Sequence, residues 1–268
     1  MRRLGCLLCL FAFACDDDPT SGTLSVFAYG EEFIEEEIPA EVFADGWKVD
    51  FAEFLVAVSG IAVGTGATPA LTSDATYIVN LAQLSGDGHP LVSGEVPGGR
   101  YDDTSFSIAP ASGAVAANAT ADQVAFMNDN GLSIYVTGRG SKDGVEKTFA
   151  WRFSSATDYS ACKSTAKVDG GAARTVLTIH ADHLFYDSLV SEAPDVRFQL
   201  FAEADTDGNQ AITMDELAAV DITGLDNYQV GNATNVTDLA AFVRAQTATL
   251  GHIDGEGHCS AVMAAVAP

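Results

Sequence analysis

Four of the five histidines in this chain of 268 residues fall into two short segments, a spacing typical of transition-metal sites. One segment holds two histidines three residues apart, and the other is a glycine-rich stretch near the C-terminus. Imidazole nitrogens are preferred ligands of copper and zinc, and neighbouring carboxylates hold the rings in position. The sequence therefore predicts a copper or zinc site with the ligands His180, His183, His252 and His258. The carboxylates expected to support them are Asp182, Asp254 and Glu256.

A structural interpretation of the same residues stays open beside this one. A histidine that stands alone, such as His89 in a Gly-His-Pro turn, is more often a hydrogen-bonded structural residue than a ligand. In that interpretation the three carboxylates cap loop amides and the imidazoles pack beside them. The local backbone conformation distinguishes the two interpretations. A helical turn starting at His180 would point the rings of His180 and His183 to one side, whereas a continuing strand would pair His180 with Asp182.

An acidic loop at residues 205–216 carries oxygen-bearing groups at the spacing that calcium requires. Calcium takes about six to eight oxygen ligands, and a loop of about twelve residues can supply them from alternating positions and its last residue. The residues at these positions are Asp205, Asp207, Asn209, Ala211 through its carbonyl, Thr213 and Glu216. The loop resembles the EF-hand family, and the resemblance implies one bound calcium ion.

The predicted calcium loop departs from the EF-hand pattern at its sixth position, where Gln210 replaces the usual glycine. The chain turns there with positive φ, which costs a non-glycine residue on the order of 1 kcal/mol. Apolar spacing predicts an entering helix over 196–204 and an exiting helix from 217 to 220. The sequence contains no second loop of this kind, which favours a structural calcium over a calcium sensor.

The N-terminus has the pattern of an export signal. Two arginines precede an apolar run over 4–14, and Cys15 follows directly. The run is too short to span a bilayer as a helix, and it is typical of a bacterial lipoprotein signal, in which Cys15 becomes the lipidated first residue. Ordinary cleavage that leaves Cys15 free is the alternative. We expect an exported protein, in the periplasm or on the cell surface, that meets the membrane only through its lipid.

Charge and cysteine usage limit the partners. The chain has 37 acidic and 13 basic residues, and removal of the two arginines in the signal leaves a net charge near −26. This charge excludes nucleic acid and anionic lipid head groups as partners and favours cations.

Because the cysteines of the signal are removed, Cys162 and Cys259 are expected to form one disulfide in an oxidising compartment. Metal ligation by both sulfurs is the alternative.

Short alternating strands separated by glycine and proline turns dominate residues 23–183. They include runs at 23–29, 47–59, 77–81, 104–108, 132–136, 148–153 and 174–179, with a glycine-rich bend at 60–68 and a loop or edge at 31–41. This pattern predicts a mainly β fold, an antiparallel β-sandwich. After residue 183 the composition shifts to helix, including a helix at 237–249 with Thr234, Asn235 or Thr237 as its cap.

We therefore expect four segments. They are a signal peptide at 1–14, a tether at 15–22, a β-sandwich domain at 23–183, and a helical, EF-hand-containing region at 184–268 that carries the His-rich loop and packs on the sandwich.

Residues 47–108 resemble the MbnP-like domain of periplasmic and outer-membrane lipoproteins. The resemblance covers about a quarter of the chain and is carried by Gly46 and Trp47, the strands at 54–61 and 79–81, and the segments 95–101 and 106–108. The family is associated with copper handling, so the resemblance implies copper as the transition metal.

Three hypotheses for function follow. The first is an exported lipoprotein that binds copper, or zinc, through its histidines and is braced by one calcium ion. The second is an acidic interaction module, stabilised by calcium, that meets a protein partner and has no transition-metal role. The third is a zinc hydrolase, but the sequence contains no His-Glu-x-x-His helix, Gly-x-Ser-x-Gly elbow or Cys-His nucleophile pair.

Overall fold

A computed structural model describes residues 20–66 and 68–263 of the chain, so the predicted signal, Cys15 and most of the tether lie outside the described residues. The strands are β1 (Gly22–Tyr29), β2 (Lys48–Thr65), β3 (Thr68–Ser73), β4 (Tyr77–Asn80), β5 (His89–Val96), β6 (Gly99–Tyr101), β7 (Asp103–Ile108), β8 (Val115–Ala116), β9 (Ile134–Lys142), β10 (Val145–Phe153), β11 (Thr157–Cys162), β12 (Ala166–Val168), β13 (Ala172–Ile179), β14 (Ala211–Ile212), β15 (Gly251–Ile253) and β16 (Ser260–Met263). The α-helices are α1 (Glu31–Glu35), α2 (Ala121–Asn130), α3 (Gln199–Glu203), α4 (Met214–Ala218) and α5 (Leu239–Gln246). Two 3-10 turns span Asp182–Phe185 and Thr247–Thr249.

Two sheets pack around one apolar core, which confirms the predicted mainly β sandwich. The smaller sheet has the strand order β15-β13-β1-β5, and the larger runs β14-β10-β9-β2-β7-β11-β16 with β3, β4 and β8 attached through β2. Along β1 buried and half-buried residues alternate, which is the pattern of a strand with one face on a core. A separate short pair joins β6 to β12.

One pairing in the smaller sheet is parallel. Strand β1 runs beside β13 with Thr23 opposite Ala172 and Tyr29 opposite Thr178. Strand β15 pairs antiparallel with the end of β13. Since the carboxyl ends of parallel strands meet at the same edge of a sheet, the residues that follow β1 and β13 lie together there.

The long strand β2 is buried on both faces. Phe54 and Val56 face the main core, while Leu55 and Ala57 belong to a second apolar cluster that Met127 of α2 covers. The glycine-rich bend predicted at 60–68 is present only at its C-terminal end, where β2 reverses into β3 with Thr65 opposite Thr68; at Gly60 β2 continues, its pairing with β7 shifts register and φ is 60°. A bulge of this kind lets a strand bend without ending.

The region after residue 184 packs on the sandwich through aromatic side chains. Phe185 lies with its ring centroid 6.2 Å from that of Trp151, and Phe201 lies 5.5 Å from the same tryptophan. The helices are shorter than predicted: 199–203 instead of 196–204, and 239–246 instead of 237–249, with Asp238 as the cap in place of the three predicted residues. No helix among the described residues is long and apolar enough to cross a membrane.

Candidate functional site

Three histidines meet at the edge of the smaller sheet where β1 and β13 end. His252 lies in β15 opposite Thr178, and His180 follows β13 two residues beyond Thr178, so the two imidazoles share one face of the sheet. The 3-10 turn at Asp182–Phe185 then folds the chain back and brings in His183. Of the two local geometries that the sequence left open, the turn is therefore the one observed.

The three rings form a compact cluster. The ring centroids of His180 and His252 are 4.3 Å apart, those of His180 and His183 are 5.3 Å apart, and those of His183 and His252 are 5.2 Å apart. His180 and His252 are buried, with 7% of each residue exposed. His258 is exposed at the rim, with its ring centroid 5.4 Å from that of His252.

Potential ligand atoms converge in two overlapping groups. One ligand atom from each of His180, His252 and Glu256 lies within 4.8 Å of the others, and the same holds for His180, Asp182 and His183. Metal–nitrogen bonds of copper and zinc sites are about 2 Å long, so ligand atoms around one ion lie roughly 3–4 Å apart. Side-chain rotation would bring either group around one ion. His183 and His252 belong to different groups and only His180 belongs to both, so one ion held by all three imidazoles requires the rings of His183 and His252 to turn toward it.

Hydrogen bonds leave ring nitrogens free to bind a metal. His183 Nδ1 lies 2.8 Å from the carbonyl oxygen of Thr249, and when Nδ1 donates this bond, the lone pair is on Nε2. His252 Nδ1 is buried and has no hydrogen-bond partner among the described residues. His180 Nε2 lies 3.4 Å from the carbonyl oxygen of Gly255. A buried nitrogen without a partner is costly unless something binds it.

Burial favours the neutral form of two of the imidazoles, His183 and His252. Burial, together with the neighbouring His180 ring, lowers the pKa of His183 to about 4. Burial and the adjacent imidazoles lower the pKa of His252 to about 4 as well. Both rings are therefore unprotonated near neutral pH, which is the form that binds metals.

The carboxylates around the cluster play different roles. Burial raises the pKa of Asp182, whose Oδ2 accepts a hydrogen bond of 2.9 Å from the Tyr186 hydroxyl. Glu256 is exposed and belongs to one of the two ligand groups. Asp254 instead caps backbone: its carboxylate accepts from the amides of Thr165 and Val176, each at 2.9 Å. The prediction that Asp254 supports the imidazoles is therefore wrong.

Two neighbours of the cluster were not predicted from the sequence. Glu31 follows β1 with φ of 54°, and its Oε2 lies 3.8 Å from His180 Nε2; burial raises the pKa of the Glu31 carboxyl. The ring of Tyr186 packs on His183 with 4.3 Å between centroids. Tyr186 stands three residues after His183, a helical spacing that could have indicated it, but only the parallel pairing of β1 and β13 places Glu31 here.

The structure also gives the positions of the remaining histidine and of the two cysteines. His89 lies outside the cluster, with Nε2 3.0 Å from the Gln83 carbonyl oxygen. A disulfide joins Cys162, at the end of β11, to Cys259, next to His258. It ties the C-terminal histidine segment to the larger sheet.

A cavity of about 470 Å³ opens beside the cluster. Its lining residues include His183, His252, His258 and Glu256, together with Tyr186 and Gln246.

The acidic loop forms a second, separate group. Ligand atoms of Asp205, Asp207 and Glu216 lie within 4.8 Å of one another. The Asp205 carboxylate is buried and accepts hydrogen bonds from the backbone amides of Gly208 and Gln210 and from the Lys147 ammonium, which keeps its pKa below the usual range. One oxygen of Glu216 accepts from Thr213, whereas the other, Oε1, is buried without a hydrogen-bond partner among the described residues.

The loop is attached to the larger sheet through β14. Ala211 and Ile212 pair in parallel with Thr148 and Phe149 of β10, and Trp151 Nε1 donates a hydrogen bond of 3.0 Å to the Ile212 carbonyl. The edge of the larger sheet therefore supports the loop on this side. Gln210 has φ of 70°, the strained conformation that the sequence predicted for this position.

Comparison with protein-family models, with curated proteins and with solved structures finds no match for the chain. Its function is therefore argued from the two sites alone.

Proposed function

We propose that this protein is an exported lipoprotein that binds one copper ion through His180, His183 and His252, with one calcium ion in the loop at 205–216. The observation that carries the proposal is the cluster of three imidazoles with centroids 4.3 to 5.3 Å apart in a chain that has only five histidines. A structural role is a weak account of this cluster, because His252 Nδ1 is buried without a partner among the described residues.

The donor set favours copper over other metals. Imidazole suits copper and zinc, and sites of nitrogen and oxygen ligands bind copper most tightly among the divalent first-row metals. Neutral rings also bind without first losing a proton. The formal net charge of −24 raises the concentration of cations near the surface. Zinc is the competing metal for the same ligands.

Calcium at the acidic loop is proposed on different grounds. The ligand atoms there are hard oxygens, which calcium prefers. The buried Oε1 of Glu216 has no hydrogen-bond partner among the described residues, and a cation would satisfy it. Because β14 pairs with β10, one side of the loop is fixed to the sheet, which suits a structural ion.

Export and lipidation at Cys15 are part of the same proposal. The disulfide between Cys162 and Cys259 is consistent with an oxidising compartment outside the cytoplasm. Mass spectrometry of the protein from membranes would test the anchor, because lipidation adds a diacylglycerol mass that Cys15→Ala removes.

Metal analysis of the purified protein tests the histidine site. We expect one copper per chain in the wild type and loss of copper, with calcium retained, in His180→Ala/His252→Ala. His89→Ala is the matched control, because His89 lies outside the cluster, and it should keep its copper. If the double variant binds as much copper as the wild type, the histidine site is wrong. Calcium alone in every protein would favour the acidic interaction module.

A further inference from the structure

The walls of the cavity beside the histidines indicate where an ion there would be open. His183, His252 and Glu256 line the cavity, whereas His180 does not. An ion held by the three imidazoles would thus have protein on the His180 side and the cavity on the other. Three protein ligands that leave one side open are typical of sites that bind an additional ligand.

The cavity is large enough to hold a small organic molecule. Its volume of about 470 Å³ lies within the roughly 300–1,000 Å³ of sites for small organic molecules. The ring of Tyr186 offers an apolar surface, and Gln246, which donates to the carbonyl oxygens of Tyr186 and Ser188, fixes the wall behind it. The wall is therefore built from ordered groups.

The charge of the cavity selects among ligands. The carboxylates of Glu192 and Glu256 line it, and no lysine or arginine is among its lining residues in the described part of the chain. These carboxylates repel an anion and so weaken its attraction to the bound metal ion, whereas the metal ion itself repels a cationic molecule. A neutral molecule meets neither repulsion.

Resting on the proposed function, we propose that the histidine-bound metal takes a small neutral nitrogen-donor molecule as a further ligand from this cavity. Its class is an amine or an imidazole, small enough to lie between Tyr186 and the C-terminal strand β16, whose Ala261 lines the cavity. The protein would in this way bind its metal together with an organic ligand.

Titration of the copper-loaded full protein with imidazole tests this inference, with azide as the anionic comparator. At mildly alkaline pH, where imidazole is neutral, we expect a saturable change in the copper electron paramagnetic resonance spectrum at one imidazole per chain. Azide should require about tenfold higher concentration for the same saturation, a difference of about 1.4 kcal/mol in binding free energy. Copper measured after gel filtration should stay at one per chain.

Variants that fill the cavity provide the structural control. Ala261→Trp and, in a different lining segment, Ser191→Trp should each weaken imidazole binding by about tenfold while copper is retained. Ala116→Trp, on an exposed strand that does not line the cavity, should bind imidazole as the wild type does. Two tryptophan variants are used because either one alone could disturb its own segment.

The outcomes separate this inference from the proposed function. Failure to bind copper at all would remove the proposed function itself. Copper that binds but whose spectrum does not respond to imidazole would overturn only the inference, as would loss of copper to imidazole. Equal binding of azide and imidazole would overturn the selection by charge, and unchanged binding in both cavity variants would overturn the cavity as the binding place.

Discussion

The acidic loop takes its candidate ligands from one continuous segment, whereas the histidine cluster takes its side chains from the ends of three strands. In the loop, hydrogen bonds between near neighbours hold the carboxylates: Asp205 accepts from amides three to five residues later. In the cluster, the rings of His180 and His252 meet only because β15 pairs with β13. The first arrangement depends on local backbone, and the second on the register of a sheet.

This difference also separates the chemistry of the two regions. The loop presents oxygens, and hydrogen bonds from Lys147 and from backbone amides hold the pKa of the Asp205 carboxyl below its usual range. The cluster presents ring nitrogens, and burial lowers the pKa of both His183 and His252 to about 4. Hard cations suit the first, and borderline transition metals suit the second. The two candidate groups therefore differ in the kind of cation that their donor atoms favour.

The largest effect on the free energy of unfolding should come from calcium, and it should depend on the loop alone. Calcium at about one hundred times its dissociation constant should raise the free energy of unfolding by about 2.7 kcal/mol. Glu216→Gln should abolish this increase, because it removes the carboxylate with the unpartnered Oε1. Glutamine still satisfies the capping box with Thr213, so helix α4 should persist.

Chemical denaturation in calcium and in chelator measures this difference. Glu203→Gln, an exposed change outside the loop, is the control and should respond to calcium as the wild type does. Copper content should be unchanged in both variants. A calcium response that survives in Glu216→Gln would count against the loop as the calcium site.

The same difference, local backbone against sheet register, determines how much of each region could be predicted from the sequence. The ligand spacing of 205–216 and the strain at Gln210 could be predicted because they are properties of one segment. The histidines could be predicted as residues, but their neighbour Glu31 could not, because nothing local indicates that β1 runs parallel to β13. Asp254 was misassigned for the same reason, since its partners Thr165 and Val176 are far away in sequence.

Two errors in the fold have local causes. Helix α2 was not predicted, although its capping box between Thr120 and Gln123 is visible in the sequence. Its low amphipathicity hid it, because only Met127 of the helix is fully buried. The bend predicted at 60–68 was placed too early, because Gly60 marks a bulge within β2 and the chain reverses only between Thr65 and Thr68; a glycine with positive φ serves a turn and a bulge equally well.

An intermediate effect on the free energy of unfolding should come from lowering the pH, and it should depend on the histidine cluster. The folded pKa of His252, about 4, lies below the value of about 6.5 expected in the unfolded chain. The unfolded chain therefore binds more protons between these values, and stability is lost as the pH falls through that window. From about pH 7 to about pH 5.5, one such histidine should cost about 1 kcal/mol of unfolding free energy.

Denaturation of the metal-free protein at the two pH values, in the wild type and in His252→Gln, measures this contribution. The loss should be smaller in the variant by about 1 kcal/mol, because glutamine does not titrate. Calcium affinity should change less over the same range, because hydrogen bonds hold the pKa of the Asp205 carboxyl in the loop below its usual range. Identical pH dependence in the two proteins would contradict a buried, neutral His252.

The smallest effect should come from relieving the strain at Gln210. Its φ of 70° disfavours a side chain, and Gln210→Gly should stabilise the protein by about 0.5 kcal/mol after the entropy of the more flexible unfolded chain is subtracted. Thr206→Gly is the matched control in the same loop: Thr206 does not have positive φ, so the same change should destabilise by about 0.5–1 kcal/mol. Opposite signs in the two variants, measured by denaturation in calcium with copper content unchanged, would show that the strain belongs to the loop's own backbone. Destabilisation by Gln210→Gly would instead mean that the glutamine side chain stabilises the loop by more than the strain costs.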